Sequence, residues 1–305
     1  MSNPAAAVAH SLHVHPVKSV AGHAPDEAVV EPWGLAGDRR WMLVDTRGKA
    51  VTQRQYARLA LASAAPLPGG GLGLSAPGRE PLTVEVPESA GTVVVEIFGT
   101  KVEAVPAAPQ AHAWFSDWLG AEVELVHLDD PATRRPVDPE YALPGETVSF
   151  ADGYPLLVTT TSSLDALNSL IAQGDHPDEG PLPMNRFRPN IVVSGTAPWS
   201  EDRWTRISIG EVTFRVARMC GRCIITTTDQ RTAERGKEPL RTLARHRRFD
   251  DRLVFGQHLV PERTGVIRIG DPVRVLGWRV SRRGPRRCRK GVGAPPAGAG
   301  GAQRP

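Results

Sequence analysis

Two cysteines, Cys220 and Cys223, stand three residues apart in RMCGRCIITTTD, residues 218–229. That spacing serves redox dithiols and half-sites for zinc. A redox pair of the thioredoxin kind opens a helix, whose dipole lowers the thiol pKa, whereas the β-branched run Ile-Ile-Thr-Thr-Thr after Cys223 predicts a strand. Structural zinc needs four ligands, yet the one other cysteine, Cys288, lies in a basic C-terminal stretch, and His246 and His258 lack ligand spacing. Three cysteines are too few for an iron-sulfur cluster held by four thiolates. What remains is a single soft thiolate, with Arg218 and Arg222 nearby to favour its ionised form, offered to a soft metal whose other ligands come from elsewhere. A cofactor that brings its own sulfur fits. Cys220, preceded by Met219, also reads as a small buried hydrophobe.

Such a cofactor carries negative charge, and several stretches could cradle it. HPVKSVAG places Lys18 and Ser19 at a strand end, followed by small residues that let a ligand approach the backbone. GLAGDRRW sets Arg39 and Arg40 after a glycine turn, and VTQRQ offers Thr52, Arg54 and Gln55. MNRFRPNIVVSG puts Arg186, Arg188 and Asn190 at the mouth of a buried strand. Arginine suits bidentate phosphate contact, and Asn and Thr suit the amide edges of a heterocycle. Each stretch alone is more often a solvated face.

The elements that must position these groups are mostly short extended runs bounded by Gly and Pro, which makes the chain mainly β with a few helices, an α+β fold. EIFGTKVEAV reads as a hairpin turning at Gly99-Thr100, and ISIGEVTFRV as another turning near Gly210-Glu211. APLPGGGLGLSAPGREP reads as a long hairpin loop. Helical pattern is confined to AWFSDWLG, to SSLDALNSLI with Ser162 or Ser163 as N-cap, and to EPLRTLARHR. The strand-rich first part gives way near residues 106–122. The net charge of +4 is uneven: Arg279–Pro305 holds eight Lys or Arg and no acid, so the rest sums to −4. That tail has nothing to bury and reads as a disordered extension, which leaves a nucleic-acid partner unsupported. The opening MSNPAAAVAH has no secretory pattern and no stretch is apolar enough to span a bilayer, so the expectation is a cytoplasmic protein without membrane contact.

Taken in order, HPVKSVAG, GLAGDRRWMLVD, VTQRQ, ADGYPLLVTTTSSLDALN, RFRPNIVVSG, EDRWTRISIGEV, CGRCIITTTD, EPLRTLARHRR and FGQHLVPERTGVIRIGDPVRVL resemble the MOSC-domain family, in the branch with an N-terminal β-barrel. The resemblance implies an N-terminal β-barrel domain over residues 9–122, a MOSC β-barrel domain over 123–277 and a tail over 278–305. It implies molybdenum cofactor (Mo-molybdopterin), whose dithiolene supplies two sulfurs while one protein cysteine completes the metal's coordination. The family pattern carries that ligand onto Cys223 and leaves Cys220 a neighbour. Lys18, Ser19, Arg39 and Arg54 then fall in the stretches that hold the cofactor, Arg188 and Asn190 face the pterin, and Thr160 and Ser163 sit at a cofactor-facing turn. Asp229 is a candidate proton-handling group, or a surface residue in a turn. The implied activity is reduction of N-hydroxylated compounds with electrons from a separate ferredoxin, flavodoxin or cytochrome b5-like protein. A non-catalytic carrier of the cofactor or of sulfur is the other implied role.

Overall fold

The computed structural model describes residues 6–88, 91–137, 140 and 142–279. The chain is mainly β. The largest sheet runs in the order Val8–Leu12, Ile191–Ser194, Leu156–Thr160, Arg252–Pro261, Val212–Gly221, Trp204–Ile209, Val273–Trp278, with Arg248–Phe249 paired off the path. A second sheet orders Ala50–Val51, Trp41–Asp45, Val123–His127, Thr100–Pro106 and Val93–Ile97. The first strand of the chain thus pairs antiparallel with Ile191–Ser194, and Glu27–Glu31 pairs with Gly265–Arg268, so the N-terminal residues are woven into the sheets of the C-terminal half.

Alternation explains which faces bury. Val212, Phe214 and Val216 point into a core with Leu12, Val158, Ile191, Trp204 and Leu259, while Thr213 and Arg215 between them are less buried. The second core forms where the helix Pro109–Leu119 lays Trp114, Phe115 and Trp118 against Trp41, Leu43 and Leu125. Gly120 ends that helix at φ 68°, with its N–H bonded to Ser116 O.

Several local expectations shift. The first hairpin turns at Phe98-Gly99, because Thr100 pairs with Ile97. The glycine-rich stretch is no plain loop: it contains the strand Leu72–Ala76, paired on both sides by Ser63–Pro66 and Arg79–Val84. Thr160, rather than Ser162 or Ser163, caps the helix Thr161–Ala172, its hydroxyl accepting from Ser163 N at 3.2 Å. The tail from residue 280, with Cys288, lies outside the described residues.

Gly256, inside the strand Arg252–Pro261, has φ 83°, and a Cβ there meets Val158 O at 2.8 Å. Left-handed strain and a backbone clash act together at that position. Gly256→Ala is expected to cost on the order of 3 kcal/mol, and Gly120→Ala, where nothing lies within 4 Å of the added carbon, about 1 kcal/mol. Urea unfolding of the two variants checks the difference.

Candidate functional site

A cavity of about 280 Å³ opens between the two halves. Its wall brings together residues far apart in sequence: Lys18, Ser19, Arg39 and Arg54 from the N-terminal half, Arg188, Asn190, Cys220, Arg222 and Cys223 from the C-terminal half. Of the ten residues to which the sequence gives a cofactor-binding or catalytic role, seven therefore share one wall: Lys18, Ser19, Arg39, Arg54, Arg188, Asn190 and Cys223.

The other three, Thr160, Ser163 and Asp229, lie off this wall. Thr160 and Ser163 are buried in the cap of the Thr161–Ala172 helix, where Thr160 also bonds Glu201 Oε2 at 3.3 Å and Ser163 Oγ accepts from Trp199 N at 2.8 Å. Their hydroxyls are spent on the helix start. Asp229 lies outside the cavity wall and pairs with Arg186 Nη2 at 2.9 Å while accepting from Arg231 N and Thr232 N at 2.8 and 3.1 Å. It organises a turn, which is the surface reading.

The cysteine stretch also folds differently from the expected strand. The strand Val212–Gly221 carries Cys220 at its end, and Ile224–Thr227 is then a 3₁₀ turn with Cys223 extended before it. The threonines are the reason: Thr226 and Thr227 hydroxyls donate back to the carbonyls of Cys223 and Ile224 at 2.9 and 2.8 Å, satisfying a tight turn. β-branching alone favoured a strand, and this local bonding wins. Strand context is therefore no argument against a dithiol.

The two thiols have different neighbours. Cys223 Sγ accepts from Arg54 Nη2 at 3.5 Å, a contact from the other half of the molecule. Cys220 Sγ accepts from Arg222 Nη1 at 2.8 Å. Burial pushes the Cys220 thiol up, but Arg222 and His258 outweigh it and bring its pKa down to about 7. Sequence reasoning treated Cys220 as a bystander. The arginine two residues on was the available signal, and its direction could not be read.

Cations dominate the wall. Lys18, Arg39, Arg54, Arg188 and Arg222 face a single carboxylate among the lining residues, Asp152. Lys18 Nζ bonds Phe150 O at 2.9 Å and pairs with Asp152. Burial nevertheless lowers the Lys18 pKa to about 8, with Asp152 opposing the shift. Arg188 is also pushed down, first by burial and then by Arg39. Asp152, half exposed, is held below the usual carboxylate range; burial opposes this, and Lys18, Arg54 and Arg39 prevail.

The cradle is locked across the two halves. Arg39 reaches Asn190 Oδ1 and Arg188 O at 3.3 and 3.2 Å and pairs with Asp38, while Arg188 Nη2 reaches back to Val20 O at 2.8 Å. Of seven non-glycine residues with positive φ among those described, four line this cavity: Ser19 at 67°, Arg39 at 49°, Phe98 at 50° and Arg188 at 51°. Backbone strain collects where the wall must present its side chains.

Fold and site together define a mainly β protein with a cavity between its N- and C-terminal halves that joins two thiols to an excess of buried and partly buried cations. The chain belongs to the MOSC family, in the branch that carries an N-terminal MOSC β-barrel domain. A profile described as MOSC N-terminal beta barrel domain matches residues 6–122, and one described as MOSC domain matches residues 145–274. The chain is similar to mitochondrial amidoxime-reducing component 1 of Danio rerio, 33% identical over 280 residues that cover 87% of this chain and 84% of that one. To the protein of the same name from Homo sapiens it is 32% identical over 284 residues, covering 87% and 82%. A molybdenum cofactor sulfurase of Oryza sativa subsp. japonica is 30% identical over 263 residues, covering 81% of this chain and 31% of that longer protein. The expected cytoplasmic location is corrected by these relatives, since the amidoxime-reducing components are named as mitochondrial. No helix among the described residues is long and apolar enough to cross a membrane.

Arg222 is expected to set the ionisation of Cys220. In a Cys223→Ser, Cys288→Ser background, a thiolate absorbance titration of Cys220 should have its midpoint near 7, moving up by about one unit when Arg222→Gln removes the charge. An unmoved midpoint contradicts this cause.

Proposed function

We propose that this chain binds molybdenum cofactor and reduces N-hydroxylated compounds such as amidoximes to their N–H forms. One observation carries the reading: five cationic side chains, Lys18 buried and Arg39, Arg54, Arg188 and Arg222 partly buried, surround a cavity whose wall holds one carboxylate and two thiols. Such a wall is costly without an anion, and a phosphorylated pterin with a thiol-ligated metal matches both its charge and its softness. Similarity to amidoxime-reducing components over most of both chains supports the same reading.

In this account Lys18, Ser19 and Arg39 hold the cofactor phosphate, Arg188 and Asn190 face the pterin, and Cys223 ligates the metal. The bound cofactor supplies a two-electron centre able to take up the oxygen of an N–OH group. The overall change, R–C(NOH)NH2 with two electrons and two protons giving R–C(NH)NH2 and water, needs protons as well as electrons. On the same wall burial brings the pKa of Lys18 down to about 8, and Arg222 and His258 bring that of Cys220 down to about 7. Electrons come from a separate protein of the ferredoxin, flavodoxin or cytochrome b5-like kind. Similarity to a molybdenum cofactor sulfurase favours a second reading, a non-catalytic carrier of the cofactor or of sulfur.

Protein purified from a host that makes the cofactor should carry near-stoichiometric molybdenum and pterin and, with a reducing system, convert benzamidoxime to benzamidine. Cys223→Ser should lower this turnover at least about a hundred-fold, whereas Cys220→Ser should retain most of it. Bound molybdenum without conversion supports the carrier, and equal loss in both variants overturns the single-ligand assignment.

A further inference from the structure

Phe98 is the feature of the cavity that cofactor binding leaves unexplained. It lines the wall that also holds Cys223, yet 56% of its surface is exposed, which places it at the open edge. Phe98 and Gly99 form the two-residue turn between Val93–Ile97 and Thr100–Pro106, with φ of 50° and 82°. A turn with both central residues left-handed favours Asn-Gly or Asp-Gly, and a bulky aromatic in the first position is strained. The turn itself has no use for a phenyl ring.

The ring's neighbours point inward. Lys18 Nζ lies 5.2 Å and the Arg54 guanidinium carbon 5.1 Å from its centroid. Arg54 also donates to Cys223 Sγ at 3.5 Å, so a single guanidinium spans the gap between the ring and the thiol assigned to the metal. A strained, half-exposed aromatic fixed by two cations within one side chain of the reaction centre offers a flat apolar surface to whatever enters.

We infer that Phe98 is a specificity-determining residue, a platform at the cavity mouth on which the aryl or heteroaryl ring of an N-hydroxylated substrate stacks while its N–OH group reaches toward Cys223. This rests on the reductase reading for the chemistry, and on the hairpin geometry for the residue. It selects ring-bearing substrates over aliphatic ones with the same functional group. The strain at Phe98 is then the cost of that selectivity.

The test is direct binding to the molybdenum-loaded protein, by calorimetry with no electron donor present, using benzamidoxime and acetamidoxime as probes. Phe98→Asn should weaken benzamidoxime roughly five-fold, the size of one aromatic stacking contact, and leave acetamidoxime unchanged. The same substitution should raise the thermal midpoint by about 1–3 °C, because Asn relieves the turn. Phe98→Trp should keep the preference for the ring. Equal effects on both probes, or no effect on either, overturn the inference. If Phe98→Asn alters only the apparent affinity for the electron donor in turnover, the ring serves that partner and the inference also fails. Ring-selective binding without turnover sinks the reductase reading and spares the platform, whereas turnover of benzamidoxime with both kcat and KM unaffected by Phe98→Asn does the reverse.

Discussion

The structure depends on gathering more positive charge at one wall than the carboxylate of that wall neutralises. Five cations converge on a cavity with one carboxylate, and the desolvation of Lys18 and Arg188 is visible as lowered pKa values. Charges of one sign are brought together only when something rigid holds them and something of opposite sign is meant to arrive. The first condition is met within the chain. Arg39 and Arg188 each bond the other half's backbone, and Arg235 Nη2 reaches across to the carbonyls of Gln53 and Arg54. These straps let two separate cores present one wall.

Weaving of the N-terminal strand into the large sheet serves the same end. Val8–Leu12 pairs with Ile191–Ser194, so the loop that carries Lys18 and Ser19 leaves from the sheet beside the one that carries Arg188 and Asn190. Asn190 itself receives Leu157 N and Arg39 while donating to His13 O, a junction of three segments. The halves are fixed by these hydrogen bonds and by a shared apolar core, in which Leu12, Val14, Val30 and Leu35 pack with Leu156, Val158 and Ile191. Positive φ at Ser19, Arg39 and Arg188 shows how far the backbone bends to aim these groups.

Much of this was legible in the sequence. Mainly β architecture followed from short runs punctuated by Gly and Pro, and seven cavity residues followed from ordered motifs. What stayed hidden was whatever depends on distance along the chain. Arg54 meets Cys223 across 169 residues, and no local pattern announces it. Thr160 and Ser163 lay beside the right motif, but their hydroxyls were claimed by a helix cap. The 3₁₀ turn after Cys223 was missed because threonine's β-branching and its capacity to bond backwards to a carbonyl pull in opposite directions. Phe98 carried no signal at all until the turn it occupies was seen to prefer a smaller residue.

The proposed asymmetry between the two cysteines is the centre of the account: we propose Cys223, beside Arg54, as the metal ligand and Cys220, beside Arg222 and His258, as its neighbour. X-ray absorption at the molybdenum edge of the loaded protein tests this most directly, because it counts sulfur neighbours. The wild type and Cys220→Ser should show one sulfur more than the dithiolene pair provides, and Cys223→Ser should lose it. An unchanged sulfur count in Cys223→Ser, or its loss in Cys220→Ser, contradicts the account.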